Sequence, residues 1–532
     1  MPEHLRALVV ILVLAMAVFA LAKAPITARA CAVQDYVRRR NLWFALTLAA
    51  FLAHNFWLFV LVASCVLAVA VRAESNRYAL YLGLILALPQ LIAAIPGFGI
   101  VNQLFEVSQL RILALVVLLP AYLALRKQPG VEPFGQLLCD KLLLCSFTLK
   151  FFLTLPHTTF TVVLRECVLY AFTDIFLTYY VASRSLRTIT AFRDALGAFV
   201  VGAVVFCAIV VFEFGRHWLL YRALDDALGV SQGNAGYLLR SGLLRAEGTA
   251  GQSIVTGYTC AIAIGLYLYV GTLVPSFAWR SLGMLVLIAG IVGAMSRAPW
   301  LGAAMMIPLF IVLGPTPITS LAKLAVAGLV ALPILLLTSA GATIVDFLPW
   351  VGSIDARNVD GRELLATVSL QVIAENPFFG RYDFALNPAI EGLRGSDGII
   401  DLVNTYIIIA LKGGYVSLAL FVGIATVAIL GILAGLRKIG DKRDERHVLG
   451  RSLLATLVGM LFVIGTVSPI FFVYPLYWSL AGLAVGYGRL IVRGEPHLKS
   501  DAAASTQGNR APGARWANAT RKEAAASTPG PR

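Results

Sequence analysis

The sequence predicts an all-α fold, a polytopic transmembrane helical bundle of about 14 spans with a large external loop that contains amphipathic helices. Three observations predict this class. The chain of 532 residues is 59% hydrophobic and only 13% charged, and its mean hydropathy is +0.83. Apolar runs of helical length recur along the chain, and two long polar breaks separate them. A soluble protein of this size could not bury so much apolar surface.

The spans are predicted from run length, because a bilayer core about 30 Å thick needs about 20 apolar residues per helix. The run 41–71 is too long for one straight helix and carries His54 and Asn55 near its middle. Two segments are therefore an alternative there, and they would change the side on which the N-terminus lies. The predicted spans are 5–23, 41–71, 77–94, 107–125, 137–153, 162–183, 194–215, 253–273, 281–296, 299–314, 321–340, 404–435, 452–468 and 471–488.

Basic residues set the predicted orientation. The short loop 437–451 is rich in Lys and Arg, which gather on the cytoplasmic side of membrane proteins. Counting back from that loop places the two long polar breaks on the external face. The predicted organisation is N-terminal transmembrane helices in 1–215, an external loop in 216–252, central transmembrane helices in 253–340, a large external loop in 341–403, C-terminal transmembrane helices in 404–488 and a disordered cytoplasmic tail in 489–532.

The composition also excludes some classes of function. The net charge of +15 is explained by topology-setting loops, so we expect no nucleic-acid partner. The seven cysteines form no CxxC pair, and the six histidines show no metal-ligand spacing. We therefore expect neither a metal nor another cofactor.

Four polar groups are the candidates for chemistry, because polar residues held close to a bilayer are costly and often functional. All four map to the external face on the predicted topology. Arginine binds phosphate oxygens through two parallel hydrogen bonds, and a nearby carboxylate can take a proton from a hydroxyl. The groups are Arg240, Arg245 and Glu247 in 238–252, Arg297 and Trp300 in 295–302, Arg357, Asp360 and Arg362 in 353–365, and Asp401 and Asn404 in 395–414.

Each group also has a purely structural interpretation. An arginine at a span end commonly anchors the helix to the interface. Asn404 could serve only to start a helix. The apolar spacing in 362–376 predicts an amphipathic helix lying at the interface, and we expect Gly361 and Gly380 to form the turns that bracket it. The convergence of four groups on one face favours the functional interpretation.

Three short motifs carry a family resemblance. An S-R-x-x-W-L-G turn at 296–302 is followed by a polar break with G-R-E-L at 361–364 and I-x-E-N-P-x-F-G at 373–380, and the chain re-enters the membrane at D-x-V-N-T-Y in 401–406. In order and spacing, this pattern resembles the bacterial O-antigen ligase and O-antigen polymerase superfamily, and within it the exopolysaccharide polymerase-type members. The resemblance covers roughly residues 235–435.

The resemblance implies a metal-independent, inverting glycosyltransferase of the bacterial inner membrane, with its active site facing the periplasm. Its donor would be an oligosaccharide linked to undecaprenyl diphosphate. Membrane lipid, a chain-length regulator and a flippase would be further partners. Arg245, Arg297 and Arg362 would hold the diphosphate, and Asp401 or Glu247 would take the acceptor's proton. We expect the substrate-binding residues to be Arg240, Arg357, Asp360, Asn404 and Trp300.

One departure from the family pattern favours a polymerase of repeat units over a ligase that transfers the glycan to lipid A-core. Ligases of this family often have His before the Asn of the re-entry motif, where this chain has Val403. A polysaccharide flippase or secondary transporter is the alternative from another class, because many spans suit it. A peptidoglycan glycosyltransferase of the rod-shape family is a weaker alternative.

Overall fold

The computed structural model describes residues 1–99, 101–230, 236–240, 242–337, 356–394, 400, 402–468 and 472–494. Within these ranges the side chains of 332, 334–336, 356–362 and 493 are not described. The described chain is mostly helical. Its first unit is Met1–Val492, and its second unit, Arg493–Arg532, is described only at its first two residues.

The helices before the first polar break are α1 (Glu3–Thr27), α2 (Val33–Leu52), α3 (Phe56–Ala73), α4 (Arg77–Leu84), α5 (Gln109–Lys127), α6 (Leu138–Thr154), α7 (Phe160–Val163), α8 (Leu177–Ser185), α9 (Ile189–Arg216) and α10 (Leu224–Leu228). Two π-helical segments, Leu164–Leu169 and Ala171–Phe176, connect α7 with α8. The later helices are α11 (Ser253–Leu273), α12 (Phe277–Gly293), α13 (Arg297–Val312), α14 (Pro317–Leu336), α15 (Ala356–Glu375), α16 (Pro388–Glu391), α17 (Thr405–Lys438), α18 (Glu445–Ile464) and α19 (Val473–Arg493).

Seven of the described helices are long and apolar enough to cross a membrane: α1, α3, α5, α9, α11, α17 and α18. Shorter apolar helices lie at Phe277–Gly293, Arg297–Val312 and Pro317–Ala331. The predictions of a mostly helical chain and of helices able to cross a membrane are confirmed, and the number of about 14 spans stays a prediction.

In the N-terminal part the structure shows the two-segment alternative for 41–71, and it differs from the predicted span 77–94. The run 41–71 is divided, because α2 ends at Leu52 and Asn55 caps α3 by accepting the Trp57 N–H at 2.7 Å. The run 77–94 is not one helix. After α4 the chain continues into β1 (Ile92–Pro96), which pairs antiparallel with β2 (Gln103–Ser108). Alanine and isoleucine in β1 are as apolar as the residues of a membrane helix. Hydropathy alone therefore predicts a span there and does not predict the hairpin.

A second, very short hairpin joins β3 (Leu239–Arg240) to β4 (Leu243–Leu244). It lies inside the first predicted external loop, directly before the polar segment 245–251.

The centre of the bundle is α11, which packs against α9, α12, α13 and α18. In the most apolar 18-residue stretch of this helix, 89% of the residues are buried within the protein. Small residues allow this close packing, since Thr456 and Met306 contact the backbone at Gly265 and Val463 contacts Gly302. The segments at 238–252 and 295–302, which carry candidate residues, are therefore directly connected to a tightly packed core.

Contacts at the two ends of the bundle relate the N-terminal helices to α9. The Trp218 indole N–H donates to Glu3 Oε1 at 2.9 Å, so the start of α1 lies beside the end of α9. At the opposite end, Arg39 of α2 pairs with Asp194 and Glu74, each at 2.6 Å. The beginning of α1 is thus on the same end of the bundle as the loop that follows α9.

The amphipathic segment predicted at 362–376 forms the C-terminal part of α15. The helix begins at Ala356, so Gly361 lies inside it, and our expectation of a turn at Gly361 is wrong. Gly380 is in the left-handed region with φ of 62°, as expected for a turn. The buried face of α15, including Val372 and Ile373, packs on α17 in a second apolar cluster.

Candidate functional site

The segment from Arg245 to Gly251 connects the second hairpin to α11, and a buried carboxylate at the end of α9 holds it in place. Glu213 is 1% exposed. Its Oε1 accepts the N–H of Leu220 at 2.9 Å, and its Oε2 accepts the N–H groups of Glu247 at 3.1 Å and Gly248 at 2.8 Å. These bonds compensate for the burial of the carboxylate, and they fix the segment relative to α9.

The backbone around Glu247 is held from the other side by α11. The Thr256 hydroxyl donates to the Glu247 carbonyl at 2.6 Å, and the Ala250 N–H also donates to it. Gly248 has φ of +53°, and a Cβ there would lie 2.6 Å from the Phe206 ring. Only glycine fits this position, so the direction in which the Glu247 side chain leaves the backbone is fixed.

The Glu247 side chain is 3% exposed, and its Oε1 has no hydrogen-bond partner among the described residues. Burial raises the pKa of Glu247 to about 8, and the Glu213 carboxylate adds to this, while Arg222 and Arg245 oppose it. A buried carboxyl group with a pKa near the operating pH and an unused oxygen atom is suited to accept a proton from a substrate.

Two arginines accompany Glu247. Arg245 is half-buried, and its Nε has no partner among the residues that the structure describes. Burial, and then the charge of Arg240, lower the pKa of Arg245 to about 10, so it remains charged at neutral pH. Arg240 donates through Nη1 to the Met295 carbonyl at 3.2 Å. The segment therefore places two guanidinium groups within electrostatic range of each other.

The turn between α12 and α13 lies against this segment. The Ala246 N–H donates to the Gly293 carbonyl at 3.1 Å, in addition to the bond from Arg240. Met295 in the turn is buried and has φ of 46°. Arg297 follows as the first residue of α13. The first two of the four predicted groups, 238–252 and 295–302, are thus brought together.

Trp300 has a structural use at this turn. Its Nε1–H donates to the Ile291 carbonyl at 2.7 Å, which closes the end of α12 onto the start of α13. Pro299 and Ser296 pack directly against Gly257 of α11. Substrate contact by Trp300 remains a prediction.

The other two predicted groups are described only in part. Arg357, Asp360 and Arg362 lie on α15, and their side chains are outside the described residues, as is Asp401 altogether. Asn404 caps α17, because its side-chain oxygen accepts the N–H groups of Tyr406 at 2.9 Å and Ile407 at 3.2 Å. No described contact joins Asn404 to Arg245 or Glu247.

The structure also shows a feature that the sequence analysis missed. Helix α17 is interrupted at Gly414, where φ is 65° and ψ is −171°. The loop 377–381 docks into this break: the N–H groups of Tyr415 and Val416 donate to the carbonyls of Pro377 and Phe378 at 2.7 and 3.2 Å, and the Arg381 N–H donates to the Leu411 carbonyl at 2.7 Å. The Gly413-Gly414 pair inside an apolar run is the sequence feature that could have predicted this break.

Two buried or half-buried acidic residues in 137–183 are held in fixed contacts with arginines. Asp140 is fully buried and pairs with Arg184, and it also accepts from the Tyr179 hydroxyl. Asp174 pairs with Arg111 at 3.0 Å. These pairs have the geometry of structural ion pairs. Across the described ranges, no group of three His, Cys, Asp or Glu side chains could hold a metal ion.

No family model matches the chain, and no curated protein matches it.

Proposed function

We propose that this chain is a membrane glycosyltransferase that polymerises undecaprenyl-diphosphate-linked oligosaccharide repeat units into an exopolysaccharide or O-antigen. The observation that carries the proposal is the Glu247 carboxyl group, which is buried, lies beside Arg245 and has one oxygen that no described residue hydrogen-bonds. The motif resemblance to the O-antigen ligase and polymerase superfamily supplies the reaction class. It stands on the motifs at 296–302, 361–364, 373–380 and 401–406.

In the proposed mechanism, Arg245 and Arg297 bind the diphosphate of the donor lipid, together with Arg362 by the resemblance. A hydroxyl group of the acceptor attacks the anomeric carbon of the donor sugar and gives its proton to Glu247. The bond between the anomeric carbon and the phosphate oxygen breaks, and its electron pair leaves with the diphosphate. The arginines stabilise the negative charge that develops there. Attack opposite to the leaving group inverts the anomeric centre.

The proposed topology has about 14 spans with the active site at the periplasmic face of the inner membrane. With α2 and α3 as separate crossings, Met1 lies outside in the proposed topology. The contact between Glu3 and Trp218 supports this, because Trp218 lies in the loop proposed to be periplasmic.

One observation favours the alternative of a flippase or secondary transporter. Helix α17 is discontinuous at Gly414, and interrupted helices are typical of transporter binding sites. However, the exposed backbone groups of this break are bonded to the loop 377–381, whereas a transporter would use such groups to bind substrate or ions. We therefore retain the glycosyltransferase as the proposal.

The test is the profile of lipid-linked oligosaccharide and polysaccharide in a strain that lacks the gene. The strain is complemented with wild type, with Arg245→Ala, or with the exposed control variant Arg443→Ala. The proposal expects single repeat units to accumulate on the lipid carrier in the Arg245→Ala strain and long polymer in the other two. Long polymer that remains on its carrier in the deletion strain indicates a ligase instead. An unchanged profile in the deletion strain contradicts both enzymes and favours a transporter.

A further inference from the structure

A second polar cluster forms where the loop 377–381 docks into the break of α17. It is built from α6, the π-helical segment Leu164–Leu169, the residues after the docked loop and the first part of α17. Among the described contacts, none joins these elements to Glu247. The cluster is therefore a separate candidate for ligand binding.

The docked loop fixes Tyr382 in this cluster. A Cβ on Gly414 would lie 2.2 Å from the Phe378 carbonyl group, and one on Gly380 would lie 2.5 Å from the Gly414 nitrogen. Both glycines have positive φ, so loop and helix fit together only because neither has a side chain. The Arg381 N–H bond to Leu411 then places the next residue, Tyr382, beside Lys412.

Tyr382 is an oriented aromatic platform. Its hydroxyl donates to Glu166 Oε2 at 3.0 Å, and burial raises the pKa of Tyr382 to about 12, so the donor is retained at neutral pH. The His157 ring lies nearly parallel to it, with a 21° interplanar angle and 6.2 Å between centroids. The Lys412 ammonium is 5.9 Å from the Tyr382 centroid.

Two lysines are brought together beside this platform. Helix α6 packs against α17, where a Cβ on Gly413 would lie 3.6 Å from Leu153 Cδ1, and Lys150 is one turn earlier than Leu153 on α6. The charges of Lys150 and Glu166 both act on the Lys412 ammonium. Both lysines are exposed, and neither forms an ion pair with any described residue. Two neighbouring ammonium groups repel each other, and an anion between them would remove that repulsion.

We propose that Lys150, Lys412, Tyr382 and Glu166 form a second substrate subsite, which binds the diphosphate–sugar head group of the other lipid-linked saccharide. The lysines bind the phosphate oxygens, and the Tyr382 ring packs against a sugar ring. Glu166 accepts a hydrogen bond from a sugar hydroxyl. This inference rests on the proposed function. A polymerase must hold two lipid-linked substrates at once, whereas the Glu247 site accounts for the diphosphate of one.

The test measures how many molecules of radiolabelled undecaprenyl diphosphate bind to each protein molecule in nanodiscs. We expect wild type to bind two, the Lys150→Ala/Lys412→Ala variant to bind one, and the Lys141→Ala control, with an exposed lysine on the same helix, to bind two. The double variant Lys150→Gln/Lys412→Gln serves as a replacement if the alanine variant does not fold. Unchanged stoichiometry in a folded double variant overturns the subsite.

A variant of the first site separates the two claims. Suppose that Arg245→Ala/Arg297→Ala leaves the number of bound lipids unchanged while the lysine variant loses one. Diphosphate binding by the two arginines in the proposed function is then contradicted, and the lysine subsite is supported. Competition with inorganic pyrophosphate distinguishes a site for a lipid-linked diphosphate from a site for a free anion. We expect it to displace the lipid from the subsite only at much higher concentration, and displacement at equal concentration overturns the assignment to a lipid-linked head group.

Discussion

The Oε2 atom of Glu213 accepts the N–H groups of both Glu247 and Gly248, at 3.1 and 2.8 Å, from a position that is 1% exposed. One buried carboxylate thus sets the position of the segment that carries the proposed proton acceptor. It lies on α9, which packs against α11 and α12 in the core of the bundle. The geometry of the site therefore depends on a residue that touches no substrate in our proposal.

The variant Glu213→Gln should lower both stability and activity. A glutamine side chain has one acceptor oxygen and an NH₂ group, so it faces three backbone donors with too few acceptors. We expect a loss of about 1–3 kcal/mol of unfolding free energy, because buried donors lose their partners. Thermal unfolding of the purified protein measures this. Asp226→Asn, at an exposed position on the short helix α10 that follows α9, is the control, and equal behaviour of the two variants contradicts the role of Glu213.

The variant Gly414→Ala should displace the docked loop. Its Cβ would lie 2.2 Å from the Phe378 carbonyl group, and its positive φ disfavours any side chain. We expect a loss of about 1–3 kcal/mol and faster proteolysis within 377–383. Gly431→Ala on the same helix is the control, because a Cβ there meets nothing within 4 Å. Equal protease resistance of the two variants would show that the loop does not depend on the break.

Activity should depend on the protonation of Glu247. Its folded pKa is raised to about 8, so the carboxylate form that accepts a proton is populated above that pH and lost below it. We expect kcat/KM to fall about tenfold per pH unit below 8. Glu247→Gln should lower kcat/KM on the order of 100-fold or more, and its kcat/KM should no longer fall as the pH drops below 8. A profile that is flat from pH 6 to 8 in wild type would remove Glu247 from the mechanism.

The variant Arg297→Lys keeps the charge but replaces the guanidinium fork with a single ammonium group. If Arg297 binds the diphosphate through two parallel hydrogen bonds, we expect a loss of about 10–100-fold in kcat/KM. Arg443→Lys, in the exposed loop before α18, should leave kcat/KM unchanged. Normal polymerisation by Arg297→Lys would mean that Arg297 contributes only charge or anchors the helix.

The sequence was sufficient for the mostly helical class with apolar helices, because apolar run length carries that information directly. It placed the groups at 238–252 and 295–302 on one face together with the other two groups, and it did not show that these two are in direct contact. Glu213 could not be identified, because an acidic residue at the end of an apolar run looks like an ordinary span boundary. Its role depends on a loop that returns to it more than 30 residues later along the chain.

The hairpin β1–β2 and the break in α17 were missed for a related reason. Hydropathy measures how apolar a segment is, and it does not report whether the backbone satisfies its hydrogen bonds within one helix. Gly414 interrupts an apolar run whose freed backbone groups are bonded by Pro377 and Phe378 from a distant segment. Such long-range compensation is what allows a break at membrane depth.

The most direct test of the central claim uses the purified protein in nanodiscs with undecaprenyl-diphosphate-linked repeat units as the only substrate. Products are separated by length, and released undecaprenyl diphosphate is quantified. Our account predicts that wild type forms lipid-linked dimers and longer chains without added metal or nucleotide sugar, with one undecaprenyl diphosphate released per bond, and that Glu247→Gln forms them on the order of 100-fold more slowly. Release of undecaprenyl diphosphate without chain growth, or chain growth by Glu247→Gln at the wild-type rate, would contradict it.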